Sequence, residues 1–305
     1  MYSHSLLVAL HRETYEKTIT SKANFHLAGI VPVAGGHTSL KFPFPDVMLP
    51  IANDYTLLDA AIVECAYAGC DTIWIICNDD TAPLLRHRIG DYIEDPSYYY
   101  FNTSINKYDR KRIPIFWVPQ HPKDRDKRDC LSWSVIYGAL SSFMISSKIS
   151  KWIIPDKYYV SFPYGLINPR DLMESRKFIS SKDNFYVMHN NQTVQDNLYS
   201  SFTFGKNEFI KYRRNVRKGT GRWKGSYGNM QELPLEDRWS ARFFEPKDVF
   251  TDLDICDSNI LITDNYHNIA SWEEYHKYMN SPYSGEIVKP PGDLFSYKEF
   301  NGVAT

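Results

Sequence analysis

Four short apolar runs, spaced by helical stretches, constrain this chain more than any other feature. Phe25–Ala34 is apolar and β-branched and ends at Gly35-Gly36. Thr72–Cys77 (TIWIIC), Ile113–Val118 (IPIFWV) and Trp152–Asp156 (WIIPD) repeat that character. Between them Thr56–Ala68, Ala82–Ile93 and Ser132–Ile149 carry helical spacing. Asn53 or Asp54 is the candidate cap of the first helix and Gly69 its stop. Continuous apolar runs suit strands buried on both faces, and strand–helix alternation is the pattern of a wound parallel sheet. The expected fold is α/β, a mostly parallel sheet with helices on both faces. Ligands of such sheets sit at the carboxyl ends of the strands. Here those ends carry Gly35-Gly36, Asn78-Asp79-Asp80, Pro119-Gln120 and Pro155-Asp156.

After residue 180 the texture changes. Phe185–His189, Tyr199–Phe204 and Phe209–Tyr212 alternate like short antiparallel strands, and Ile260–Thr263 is another apolar strand. Residues 213–229 are basic and glycine-rich, and Ser271–Met279 reads as a helix capped by Ser271. The division expected is an N-terminal extension (1–24), one domain (25–280) and a polar tail (281–305).

Charge excludes some partners. Thirty-five basic residues against 36 acidic ones leave net −1, so the chain has no global electrostatic reason to bind nucleic acid or an anionic membrane. No run of 18 apolar residues could span a bilayer. The first residues lack a basic stretch, and Leu6–Leu10 is too short for a signal peptide, so a cytoplasmic setting is expected. Cys65, Cys70, Cys77, Cys130 and Cys256 form no CxxC and read as reduced, buried thiols. Lys206–Lys224 holds eight Lys or Arg against Glu208 alone. It reads as a solvated loop, a phosphate contact, or a nucleic-acid or partner surface. Asp252-Leu253-Asp254 is a DxD, and a turn or helix cap explains it equally well.

Val31–Ile51 (VPVAGGHTSLKFPFPDVMLPI) resembles the opening of sugar-1-phosphate nucleotidyltransferases: an apolar strand, AGG, a loop, then Pro-Lys-x-Leu-Leu-Pro-Ile. Leu57-Leu58-Asp59, Ala68–Ile76, Trp152–Asp156 and Tyr266–Tyr275 are similar to later segments of that family, in the same order. The resemblance implies a nucleotide-diphospho-sugar transferase-like fold with antiparallel β elements in its second half. It implies transfer of a nucleotidyl group from an NTP to a phosphorylated sugar, with pyrophosphate released and Mg²⁺ as cofactor. Carried onto this sequence, Asp156 holds the metal with Asn268 as second ligand, and Lys41 and Asp156 are catalytic. Gly35, Gly36, His37, Gln120, Arg213 and Arg214 face nucleotide or phosphate. Lys157 is a further cation that could offset charge.

The departures from the pattern are substantial. The family's arginine after the glycines is missing, its Pro-Lys lysine falls on Asp46, and its second metal carboxylate falls on Asn268. Cys130-Leu131-Ser132-Trp133 replaces its Gly-Thr-Ala helix start. A catalytically silent member that binds a nucleotide or sugar nucleotide is therefore the alternative. A GT-A glycosyltransferase is the third reading, and homo-oligomerisation stays open.

Overall fold

The computed structural model describes residues 25–36, 38–97, 111–125, 128–150, 153–219, 222–224, 230–232, 244–254, 259–292 and 294–296. The elements in chain order are β1 (Leu27–Pro32), β2 (Pro50–Ala52), β3 (Tyr55–Thr56), α1 (Leu57–Tyr67), β4 (Thr72–Cys77), α2 (Ala82–Ile89), β5 (Tyr92–Glu94), β6 (Arg112–Pro119), α3 (Pro122–Arg125) and α4 (Leu131–Ile149). They continue with β7 (Lys157–Val160), β8 (Gly165–Leu166), α5 (Asp171–Ile179), β9 (Tyr186–Met188), β10 (Phe202–Phe204), α6 (Lys206–Gly219), β11 (Arg222–Lys224), β12 (Met230–Glu232), α7 (Pro246–Phe250), β13 (Ile260–Ile262), β14 (His267–Asn268) and α8 (Trp272–Met279).

Among the described residues, eight strands form one sheet in the order β13-β9-β10-β7-β1-β4-β6-β5. β7, β1, β4 and β6 are mutually parallel. β10 runs against both β7 and β9, and β13 is parallel to β9. The α/β expectation holds, with antiparallel pairings at β10 and at the β5 edge. The chain steps outward from β1 to β4 and β6, then returns to the other flank of β1 as β7. That reversal makes the carboxyl ends of β1 and β7 a topological switch point, the place where ligands of such sheets bind.

Side-chain alternation along β1 fixes the layers. The Cα of Gly29 faces the thiols of Cys65 and Cys70, so α1 lies close on one face. On the opposite face Ile30, with Ile76 of β4, packs on Gly138 of α4. All 11 residues of α1 are buried, which is why it is apolar nearly all round. Its cap is Thr56, in a reciprocal capping box with Asp59, rather than Asn53 or Asp54. Trp74 stacks on Phe116 at 4.3 Å across β4 and β6. Cys65, Cys70, Cys77 and Cys130 form no disulfide and are buried, as expected; Cys256 lies outside the described residues.

Three elements depart from expectation. The helix expected over 82–93 stops at Gly90 (φ 86°), and Tyr92–Glu94 then pairs with β6. Phe209–Tyr212 is not a strand but lies inside α6, where Phe209, Tyr212 and Val216 share a buried face. Most important, the fourth parallel strand is Lys157–Val160 rather than Trp152–Asp156. Ile154 packs instead with Phe143 in a small separate cluster. Beyond residue 280, Glu94 N–H donates to Leu294 O and Ile93 bridges Phe295, so this segment covers the β5 edge. No helix among the described residues is long and apolar enough to cross a membrane.

Candidate functional site

The shift of the fourth strand relocates Asp156. It precedes β7 and therefore stands at the amino rim of the sheet. Its Oδ2 accepts from the His26 N–H at 2.7 Å, and its own N–H donates to His26 O at 2.9 Å. His26 to Pro32 spans about 20 Å at ~3.3 Å per strand residue, and Gly35 lies further on. Asp156 and Gly35-Gly36 are thus at opposite ends of β1, and the expected shared metal site does not assemble. Lys157 is also at the amino rim. Its Nζ donates to Ile179 O, Ser181 O and Asp183 O, and burial lowers its pKa to about 8. Three carbonyls engage it as a structural cation, not a phosphate contact.

The carboxyl rim brings other residues together. Gly35 adopts φ 77°, and a Cβ there would lie 2.5–2.7 Å from the Cys130 backbone. Only glycine lets the loop close on the start of α4. Ser134 Oγ, in the first turn of α4, donates to Ala34 O at 2.7 Å. The N–H groups of Val33 and Ala34 both donate to Ile76 O, and Gln120 N–H donates to Cys77 O. The ends of β1, β4 and β6 and the N-terminus of the 19-residue α4 therefore form one contiguous surface. Gln120 Nε2 donates to Arg128 O at 3.3 Å, and the Arg128 guanidinium lies 4.4 Å from the Trp133 ring centroid.

This surface holds buried polar atoms with no hydrogen-bond partner among the described residues: Gln120 Oε1, Asn78 Oδ1, Ser132 Oγ and Trp133 Nε1. Gln120 is 1% exposed and Ser132 0%. Burial pushes the Cys130 thiol up to about 11 despite backbone N–H groups of Trp133, Phe244 and Ser132 that favour its thiolate. Cys130 is thus a neutral packing group, not a nucleophile.

On the neighbouring strand, β7 is followed by Ser161-Phe162-Pro163-Tyr164, all buried. The Tyr164 hydroxyl rests against Gly36, and burial together with the Asp46 carboxylate raises the phenol pKa well above its usual value. Asn268 pairs with Gly165 across β14 and β8, and its Oδ1 is buried without a partner. Ser39 N–H donates to Ala270 O at 3.0 Å, tying the loop after the glycines to the Asn268 segment. Gly35, Gly36, Gln120 and Asn268 therefore share the carboxyl rim. Lys41 is exposed on the adjoining loop, with φ 51°. His37 lies outside the described residues. Asp46 accepts from Thr38 Oγ1. Arg213 and Arg214 belong to α6, which packs on α4, α7 and β10 rather than forming the expected loop. Asp252 accepts from Asn215 Nδ2, and Asp254 O accepts from Tyr186 OH at the amino end of β9, so the DxD serves packing.

Mg²⁺ favours one or two carboxylates in open octahedral geometry. The segment after β7 supplies a hydroxyl, two apolar side chains and a buried phenol. Asp156 faces the opposite rim, and Asn268 offers one neutral amide oxygen. Among the described residues no group of three or more His, Cys, Asp or Glu could hold a metal. The residues present do not fit Mg²⁺ as the resemblance placed it. Sequence reasoning passed over Tyr164; the turn-forming Phe162-Pro163-Tyr164-Gly165 after two strand tyrosines was its signal.

No protein-family model matches the chain, and no curated protein matches it. Solved structures do. UDP-glucose pyrophosphorylase complexed with UDP-glucose is similar at 13% identity and TM-score 0.46, covering 86% of this chain and 100% of its own. Rv0371c from Mycobacterium tuberculosis H37Rv is similar at 14% identity and TM-score 0.43, over 84% of this chain and 99% of its own. A Bacillus anthracis protein described as a glucose-1-phosphate thymidylyltransferase, in complex with a sucrose, is similar at 10% identity and TM-score 0.48, over 83% and 94%.

Proposed function

We propose that the carboxyl rim binds a nucleotide or a nucleotide sugar, and that this chain works as a binding member of the nucleotidyltransferase-like fold. The observation that carries the reading is the set of unpartnered buried polar atoms on Gln120, Asn78, Ser132 and Trp133 beside the Gly35–Cys130 junction. Each such atom costs about 1–3 kcal/mol while unpaired. A heterocyclic base presents donors and acceptors along its edge and would satisfy several at once. Backbone N–H groups at the start of α4 and in the Gly35-Gly36 loop suit phosphate. Lys41 supplies an exposed positive charge next to them.

Titration calorimetry with the common nucleoside triphosphates and nucleotide sugars tests this. Binding is expected, and Gln120→Leu should weaken it about tenfold, or 1.4 kcal/mol, with circular dichroism checking that the variant folds. Failure of every nucleotide to bind, or unchanged affinity in Gln120→Leu, would contradict the reading.

Nucleotidyl transfer is the second reading. The observation favouring it is that Gly36, Ser39, Tyr164 and Asn268 lie together past the carboxyl ends of β1 and β7. There a phosphorylated sugar would lie beside the nucleotide, and its phosphate oxygen would attack the α-phosphorus as pyrophosphate leaves in line. Lys41 would offset charge. Pyrophosphate release from an NTP and glucose 1-phosphate would establish this activity, and none would leave binding alone.

A further inference from the structure

The amino rim of the sheet, at the far end from the candidate site, exposes large apolar side chains. Ile145 and Ile149 stand four residues apart on the last turns of α4, on one side of the helix. They are 40% and 66% exposed, and Ile153, just beyond, is 37%. Phe25 (43%) precedes β1, and Phe178 (51%) lies in the last turn of α5. Apolar residues exposed singly are ordinary, but a set gathered on one face marks a contact surface.

The fold gathers these five. α4 leads into β7, so its carboxyl end stands at the rim where β7 starts. Ile153 N–H donates to Ser150 O, holding Ile153 against the end of α4. Asp156 and His26 exchange two hydrogen bonds, which seats Phe25 beside the start of β7. Lys157 draws the carbonyls of Ile179, Ser181 and Asp183 to the same rim, and Phe178 with them. α1 and α4 cover opposite faces of the sheet, and Arg176 fastens α5 to α1 by donating to Ala66 O and Tyr67 O. The apolar side chains therefore extend across the layers instead of lining a groove, which suits a flat partner.

Charge selects among flat partners. Residues 145–153 (ISSKISKWI) carry Lys148 and Lys151 and no acid. Lys177 and Lys182 are exposed next to Phe178 and in the loop after it, with Asp183 and Glu174 the exposed acids nearby. Asp71 and Lys111 offset each other in an ion pair at 3.1 Å. A two-fold interface sets a patch against its own copy, which here opposes lysine to lysine. An anionic lipid surface meets both features. Isoleucine and phenylalanine enter the headgroup boundary, while lysine stems lie along it and their ammonium groups reach lipid phosphates. Net charge gives the whole chain no pull toward such a surface, so the attraction is local. We infer that the amino rim, through Phe25, Ile149, Ile153 and Phe178 with their flanking lysines, is a docking face for an anionic lipid surface. Seated this way, the carboxyl rim points away from the membrane and stays open to solution. The inference does not depend on what that rim binds.

Co-sedimentation with vesicles tests it, using phosphatidylcholine alone and an equal mixture of phosphatidylcholine and phosphatidylglycerol. Wild type should bind the mixed vesicles at least about thirtyfold more tightly than the neutral ones, and added salt should erase that preference. Ile149→Ser with Phe178→Ser should weaken binding to mixed vesicles by about tenfold or more. Lys148→Gln with Lys182→Gln should remove most of the preference and leave binding to neutral vesicles unchanged. All four residues are exposed, circular dichroism checks that each variant folds, and either double variant alone decides the matter. Wild type that stays in solution with both vesicles, binds both equally, or binds as well after either double substitution overturns the proposal. A wild-type dimer in sedimentation velocity that the serine pair separates would assign the face to a second copy and also overturn it.

Discussion

Substituting Glu64 should change how stability depends on pH. Glu64 lies on α1, 4% exposed, beneath the seam of β7 and β10. Its Oε1 accepts from Tyr159 OH at 2.8 Å and from Ser201 Oγ. Burial raises its pKa from 4.5 to about 7, with the Ser201 and Tyr159 hydrogen bonds pulling the other way. The folded protein therefore holds this proton to a higher pH than the unfolded chain does. Stability linked to it is fully present below about pH 4.5 and is lost as pH rises through about 7. At ~1.36 kcal/mol per unit, the loss is about 3 kcal/mol. Glu64→Gln keeps an acceptor oxygen and removes the titration. Urea denaturation of both proteins at a series of pH values, followed by circular dichroism, isolates the effect, because other carboxylates cancel in the difference. Relative to wild type, Glu64→Gln should gain up to about 3 kcal/mol between pH 4.5 and 8. A difference that stays constant across that range would refute the reasoning.

Gly35→Ala places a methyl group against the Cys130 backbone at a left-handed φ, so it should destabilise by about 2–4 kcal/mol and weaken nucleotide binding; thermal denaturation and calorimetry check both. Asp156→Asn should cost about 1–2 kcal/mol through its His26 hydrogen bond and leave nucleotide affinity unchanged, because it sits at the far rim; an affinity loss would return Asp156 to the site. Lys157→Met leaves three carbonyls unpaired and should destabilise by about 3 kcal/mol or more, measured by urea unfolding.

Much of the fold was legible because β1, β4 and β6 are apolar without interruption. β7 was not, since Lys157-Tyr158-Tyr159-Val160 hides a fully buried strand behind a lysine and two hydroxyls, while Ile153-Ile154 beside it looks like the strand and is not. Burial of Lys157 depends on carbonyls from α5 and the loop after it, a contact that sequence does not announce. That slip of a few residues moved Asp156 from one rim to the other and changed the chemistry expected. α6 was misread in part because basic residues and a glycine-rich stretch beyond it suggested a loop, although Phe209, Tyr212 and Val216 recur at helical spacing. Gly35, Gly36, Gln120 and Asn268 lie at the carboxyl rim because they end strands or border them. The partnerless state of Gln120 Oε1 and Ser132 Oγ depends on what three-dimensional packing leaves around them, which no local pattern encodes.

On the proposed reading the carboxyl rim, not Asp156, receives the ligand. A crystal structure of the protein grown with its best-binding nucleotide tests it most directly. The base is expected within hydrogen-bond distance of Gln120, Asn78 or Ser132, and the phosphates at the Gly35-Gly36 loop and the start of α4. A nucleotide bound at the amino rim beside His26 and Asp156, or anywhere away from the Gly35–Cys130 junction, would contradict it.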